Sequence, residues 1–150
     1  MRLVPFEPEH LDLIQNVWSD TAALKYTLER FPEYGKLMQA AGPAYSCFTD
    51  NWTYLSSCGF SSYPWSGSGD LWGVVDAAVR HYAFAWHRFV KSRINMEIER
   101  LGFRRTQTVV AAADTRALKW IRALGFTEPP ALMRGFGPCG EDYFLCARIT

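Results

Sequence analysis

The chain has 150 residues, 49% of them hydrophobic and 21% charged, which is typical of a single soluble globular domain covering 1–150. No run approaches the roughly 18 consecutive apolar residues of a membrane span, and the N-terminus lacks the basic and apolar regions of a signal peptide. We therefore expect a cytoplasmic protein with no membrane partner.

The net charge of +1 is unevenly placed along the chain. Residues 1–79 hold four Lys/Arg against nine Asp/Glu, and residues 80–122 hold ten against three. The basic segment suits either a phosphorylated ligand or an acidic partner, and it is equally consistent with the solvated faces of two helices. A nucleic-acid partner is not expected, because the pI of about 7.7 lies below the usual range of such domains.

The four cysteines are Cys47, Cys58, Cys139 and Cys146. They form no CxxC pair and have no histidine cluster beside them, which favours reduced, mostly buried thiols over zinc or disulfide roles. No metal is expected.

Apolar periodicity predicts the elements in chain order. Predicted strands fall at 2–6, 44–48, 52–60, 71–75, 105–113, 126–133 and 143–149. Predicted helices are one from Glu7 with a buried stripe to Trp18, one capped by Asp20 and containing Phe31, and segments at 34–41, 81–101 and 115–124. Residues 61–70 and 135–140 are predicted loops. This order describes a mixed sheet with helices on both faces.

The segment 105–126 has the clearest local pattern. β-Branched residues open it as a strand, and Asp114 follows as a helix N-cap. Apolar residues then recur at helical spacing until Gly125, which stands where a left-handed C-cap residue belongs, and Phe126 begins the next apolar run.

The spacing from Asp114 and Ala117 to Leu124-Gly125-Phe126, together with the element order, resembles the GNAT superfamily of acyl-CoA-dependent N-acetyltransferases. The resemblance implies an α/β (α+β) fold, with a mainly antiparallel sheet and a V-shaped opening between strands 71–75 and 105–111. Within that superfamily the chain is most similar to a small group encoded by bacteriophages, some of them virion proteins.

The resemblance also implies a site for acetyl-CoA, with an amine as acceptor. The backbone of Val74 and Val75 would pair with the pantetheine arm, and Asp114 occupies the family's asparagine position beside that arm. The pyrophosphate would face the amides of 77–82, because free N–H groups at a helix N-terminus suit phosphate. The residues assigned there are Ala77, Arg80, His81 and Tyr82.

Three departures from the family pattern count against catalysis. The expected phosphate loop, 76–82, contains no glycine, and Asp114 replaces an asparagine. Ile121 stands where the family often has a tyrosine, and isoleucine cannot protonate a departing thiolate.

The catalytic residues are left unassigned. Candidate bases are Asp70, Asp76, His81 and Glu29, although Asp70 and Asp76 equally suit turn or cap positions. Two functions stay open: an acetyltransferase, or a catalytically degenerate GNAT fold kept as a structural or interaction module, in a phage particle for example. In the second case the surplus aromatic residues would contact protein partners or further copies of the chain.

Overall fold

The computed structural model describes residues 1–17, 21–65 and 67–150. Within these ranges the strands are β1 (Arg2–Pro5), β2 (Ala44–Phe48), β3 (Tyr54–Ser62), β4 (Ser68–Val75), β5 (Arg105–Ala111), β6 (Ala131–Met133) and β7 (Tyr143–Ile149). They form one sheet in the order β1-β2-β3-β4-β5-β7-β6. Neighbours run antiparallel except β4 and β5, which are parallel. The predicted mixed, mainly antiparallel sheet is confirmed.

Helices cover both faces of this sheet. They are α1 (Thr21–Arg30), α2 (Tyr34–Ala41), α3 (Ala83–Leu101) and α4 (Thr115–Ala123), with 3-10 helices at Pro8–Leu13 and Ala77–His81. Residues of α3 and α4 pack on one face, the α3 face, in the main core with Leu71 and Val110. The first 3-10 helix, α1 and α2 pack on the other, the α1 face, where Phe6, Leu11 and Val74 form a smaller core.

The long helix α3 has the buried stripe that its periodicity predicts. Trp86, Val90, Ile94 and Ile98 are all buried against the sheet. The helix begins at Ala83 and not at the predicted 81, and Tyr82, just before it, is 42% exposed. The 3-10 helix ahead of it occupies the segment that was expected to open α3.

The first helix is shorter than predicted. The 3-10 helix ends at Leu13, and Ile14 is already extended. The physical reason is a long-range one: the amides of Gln15 and Asn16 donate to the carboxylate of Asp76, at 2.9 and 3.0 Å, which draws the chain out of the helix. The expected stripe position at Trp18 and the cap at Asp20 lie outside the described residues.

Two further boundaries differ from the predictions. α1 ends at Arg30 and leaves Phe31 56% exposed, because a residue before a proline, here Pro32, is disfavoured in the helical conformation. Both ends of the predicted loop 61–70 are strand, since β3 runs to Ser62 and β4 starts at Ser68. Hydrogen bonding to neighbouring strands outweighs the weak strand preference of serine and glycine there.

The C-terminal third follows its prediction closely. Asp114 is the N-cap of α4, accepting a hydrogen bond from the Ala117 amide at 2.9 Å, and Gly125 has the left-handed φ of +105°. The strand expected at 126–133 is reduced to β6, because Pro129 and Pro130 have no N–H to donate to a neighbour.

Candidate functional site: a cleft between two diverging strands

The parallel strands β4 and β5 separate partway along their length. They pair at Ser68–Arg105, Gly69–Thr106 and Asp70–Gln107, and the pairing ends there. β5 continues to pair with β7 as far as Ala111, whereas 71–75 stays with β3 and turns away. The V-shaped opening predicted between 71–75 and 105–111 is confirmed.

A cavity of about 750 Å³ occupies the opening and reaches both faces of the sheet. On the α3 face its lining includes Trp86, Ile94, Trp120 and Ile121, and on the α1 face it includes Leu24, Thr27 and Tyr34. Such a volume lies within the range of small-molecule sites, and a mostly apolar lining with a few polar groups is typical of them.

The α3-face wall of this cavity is held in place by its own contacts. The rings of Trp86 and Trp120 stack at 4.8 Å. The Trp86 indole N–H donates to the Ser56 hydroxyl at 2.9 Å, and the Trp120 indole N–H donates to Nδ1 of His87 at 3.1 Å. Burial, with the nearby Lys91, lowers the pKa of His87, which favours the neutral ring that this acceptor role requires.

The direction of the β4 backbone follows from its register with β3. The Asp76 amide donates to the Leu55 carbonyl directly opposite, so alternate residues of β4 turn their N–H and C=O groups towards β3. Val74, paired with Ser57, is one of these, and its side chain is buried on the α1 face. Gly73 and Val75 point the other way, into the cleft. The β4 residues whose backbone groups face the opening are therefore Gly73 and Val75, and the backbone of Val74 faces β3 instead.

Several backbone amides in the turn from β4 to α3 are already hydrogen-bonded within the chain. Asp76 is 6% exposed, and besides Gln15 and Asn16 its carboxylate accepts the Ala78 amide at 2.8 Å. The amide of Ala77 donates to the Asn16 carbonyl at 2.6 Å, and that of Tyr82 donates to the Val79 carbonyl at 2.8 Å. The amides of Ala77 and Tyr82, expected to face phosphate, are thus engaged within the chain.

The first turn of α3 lies next along the chain, at 83–85. An α-helix leaves the amides of its first turn without intrahelical partners, and Ala83 lines the cavity. Arg80 and His81 are exposed just before this turn, with Nε of Arg80 donating to Nε2 of His81 at 3.2 Å.

The described lining on the α4 side includes Asp114, Arg116 and Ile121. The carboxylate of Asp114 is already used in capping α4. Ile121 is 6% exposed, so an apolar group fills the place where the family often has a tyrosine.

Of the candidate bases, the structure brings one to the cavity. Asp70 lines it at the point where the strands separate. Oε1 of Glu29 lies 3.9 Å from Nζ of Lys25 on the exposed side of α1, and the carboxylate of Asp76 already accepts three backbone amides. Asp76 is therefore a cap residue, one of the two roles that its position allowed.

Sequence reasoning missed a chain of hydrogen bonds that ends at Asp70. The Tyr63 hydroxyl donates to Oδ2 of Asp70 at 2.8 Å, and Nε2 of Gln107 donates to the Tyr63 oxygen at 3.1 Å. The hydrogen bond to Asp70, with partial burial, raises the pKa of Tyr63, so the hydroxyl keeps its proton. These residues come from three separate segments, and no local signal connects them.

The cysteine thiols are free, and one of them lines the cavity. Burial raises the pKa of Cys58 to about 12, so its thiol stays protonated near neutral pH and is a poor nucleophile. Across the part of the chain that the structure describes, no three His, Cys, Asp or Glu side chains assemble into a possible metal site. None of the helices within 1–17, 21–65 and 67–150 has the length and apolar character needed to cross a membrane.

Comparison with known proteins gives the class of fold. No protein-family model and no curated protein matches the sequence. Among solved structures, an acetyltransferase of the GNAT family from Bacillus anthracis matches at 13% identity and a TM-score of 0.71, over 99% of this chain and 95% of that one. The GCN5-related N-acetyltransferase from Kribbella flavida matches at 16% identity and 0.67, over 99% and 97%.

A variant of the spermidine N-acetyltransferase from Vibrio cholerae also matches, at 11% identity and a TM-score of 0.69, over 99% of this chain and 95% of that one. At these identities the likeness establishes the fold alone. The chain has the fold of the GNAT N-acetyltransferases.

Proposed function

We propose that the protein binds acetyl-CoA in the cleft and transfers the acetyl group to an amine. The observation that carries the proposal is the end of β4–β5 pairing at Asp70–Gln107, beyond which a cavity of about 750 Å³ opens beside the edge of β4 that β5 has left. An extended pantetheine arm carries amide groups that can hydrogen-bond to such an edge as an added strand does.

The proposed arm lies along β4, with the backbone of Gly73 and Val75 as its partners. Val74 contributes its buried side chain on the other face of the strand. The pyrophosphate lies at the first turn of α3, 83–85, where the partial positive charge of the 19-residue helix attracts anions. Arg80 and His81 add donors at that end of the cleft.

The chemistry is direct transfer. The amine nitrogen attacks the thioester carbonyl carbon, the C–N bond forms, the C–S bond breaks and the thiolate of CoA takes up a proton. A cleft-facing amide of β4, such as that of Gly73, is suited to donate to the carbonyl oxygen as negative charge develops on it. Asp70 is the carboxylate placed to hold the amine and accept its proton. Because Ile121 supplies no proton, the thiolate is protonated by water in this proposal.

Arg80→Glu tests the proposed binding of acetyl-CoA, the acetyl donor. Reversing the charge beside the pyrophosphate should weaken acetyl-CoA binding about 10-fold, by loss of a charge-assisted contact and addition of repulsion. Isothermal calorimetry measures the affinity, and release of the CoA thiol with an amine measures the transfer. The matched control is Arg2→Glu, an equal charge change at an exposed residue of β1 beside Trp52. Wild-type protein that binds no acetyl-CoA at millimolar concentration would exclude the proposed function.

A second candidate is a GNAT fold without catalysis, kept for protein contacts. Ile121 in the position of the family's frequent acid favours it, as do the exposed aromatic side chains of Trp65 (66% exposed) and Phe84 (91%). Such a module would assemble with protein partners or with further copies of itself. An origin in a bacteriophage, with a place in the virion, stays a prediction from resemblance that no finding tests.

A further inference from the structure

Asp70 lies where β4 and β5 separate, with its side chain on the α1 face. Two residues further along the same strand, the Trp72 ring packs edge-on against Phe6 at 5.2 Å, within the smaller core of that face. Side chains two apart on a strand share a face, so Asp70 points away from α3 and α4. If the donor reaches the cleft from the start of α3, an acceptor approaching from the α1 face meets Asp70.

The carboxylate of Asp70 lacks a positively charged partner among the described residues. Its Oδ2 accepts from the Tyr63 hydroxyl, whose oxygen accepts in turn from Gln107. The nearby Arg105 directs its Nε to Oε1 of Gln107, at 3.2 Å, and is not within ion-pair distance of Asp70. A half-buried carboxylate in a largely apolar cavity binds a cation more favourably than it binds water alone.

Aromatic side chains line the cavity in two places. The Tyr63 ring, beside Asp70, stacks on Trp65 at 5.0 Å and 12°. Tyr143 lies further along the cavity, because it pairs with Ala111, four residues beyond Gln107. Phe136 packs edge-on against it at 5.6 Å, and Met133 is also in the lining. Aromatic faces attract ammonium groups, and they also bury an apolar substituent.

The charges in the lining limit what an acceptor can carry. The charged side chains among the described lining residues are those of Asp70, Asp114 and Arg116. Asp114 caps α4 and Arg116 follows in its first turn, beyond the end of β5, whereas Asp70 lies where β4 and β5 separate. One carboxylate is therefore available to an ammonium group at the point of separation. A polyamine would place its remaining charges against apolar walls, and an amino acid would bring its own carboxylate towards Asp70.

We propose that the acceptor is a primary monoamine with an apolar, uncharged body, held as an ammonium ion by Asp70 beside Tyr63, with its body in the largely apolar cavity. The inference rests on the proposed acetyl transfer and adds the substrate class to it. Once the proton has left, the free amine attacks as described above.

Three acceptors test this class with acetyl-CoA as donor: 2-phenylethylamine, phenylalanine and spermidine. The first two differ by a single carboxylate. We expect kcat/KM to be highest for 2-phenylethylamine.

Asp70→Asn keeps the size of the side chain and can still accept from Tyr63, and it should lower kcat/KM for 2-phenylethylamine roughly 10- to 100-fold, the usual worth of a charge-assisted hydrogen bond. The same variant should bring the kcat/KM values for 2-phenylethylamine and phenylalanine closer together, because asparagine does not repel the carboxylate of phenylalanine as Asp70 does.

Asp12→Asn is the matched control, since Asp12 is exposed on the first 3-10 helix and does not line the cavity. It should leave all three values unchanged. Equal use of phenylalanine and 2-phenylethylamine, a preference for spermidine, or an unchanged preference in Asp70→Asn would overturn the inference and leave acetyl transfer standing. If wild-type protein acetylates none of the three amines, the acceptor class is overturned, and the calorimetric titration with acetyl-CoA decides separately whether the donor site stands.

Discussion

Asp76→Ala is expected to lower the free energy of unfolding by about 2–4 kcal/mol, because one buried carboxylate satisfies three backbone amides. The amides belong to Ala78, within the turn before α3, and to Gln15 and Asn16, about sixty residues earlier. Alanine leaves all three without this acceptor. It also removes the anchor that holds the segment after the first 3-10 helix against the end of β4. Urea denaturation measures the change.

Asp114→Ala is the matched comparison for this result. Asp114 is also a helix-capping aspartate, but its carboxylate accepts a single backbone hydrogen bond among the described residues, from the Ala117 amide. Its loss should cost about 1 kcal/mol, the usual value for an N-cap. If Asp76→Ala costs no more than Asp114→Ala, the two long-range bonds contribute nothing to stability, and the explanation for the short first helix is wrong.

Gly73→Val should abolish most acetyl-CoA binding while the protein stays folded. A Cβ at Gly73 meets the Ser57 carbonyl oxygen at 3.6 Å and Cβ of Cys58 at 3.7 Å, which are ordinary contacts. The rest of the valine side chain enters the cleft on the α3 face, where the proposed arm lies. Displacing an arm from a filled site costs about 1–3 kcal/mol, which corresponds to roughly a 5- to 150-fold loss of affinity. Calorimetric titration with acetyl-CoA measures it.

Gly73→Ala provides the graded control, with a smaller loss of affinity expected from one methyl group. Thermal denaturation of both variants should stay near wild type, because valine favours strands and replacing glycine restricts the unfolded chain. A folded Gly73→Val protein with wild-type affinity would show that the donor arm does not run beside β4.

The parts of the fold that could be predicted depend on neighbours in the sequence. The segment from β5 through α4 to Gly125 is specified by a β-branched run, a capping aspartate and a glycine with positive φ, all within about twenty residues. The stripe of α3 follows from helical periodicity in the same way. The divergence of β4 from β5 was expected from the family resemblance and not from local pattern.

The details of the site depend on distant residues and could not be predicted. Whether Val74 or Gly73 turns its backbone to the cleft depends on the register between β3 and β4, and a shift of one residue exchanges the two. The start of α3 moved from 81 to Ala83 because Asp76 organises a 3-10 turn ahead of it. The hydrogen bonds from Gln107 to Tyr63 and from Tyr63 to Asp70 form only when three segments meet in the folded chain.

Titration of 15N-labelled protein with acetyl-CoA, followed by amide NMR, tests most directly that the β4–β5 cleft binds the donor. The account predicts the largest shifts at the amides of Gly73 and Val75 and in the first turn of α3, 83–85. It predicts little change in β1 and β2, at the far edge of the sheet. Saturable binding with shifts confined to other regions, or no shifts at millimolar acetyl-CoA, would contradict it.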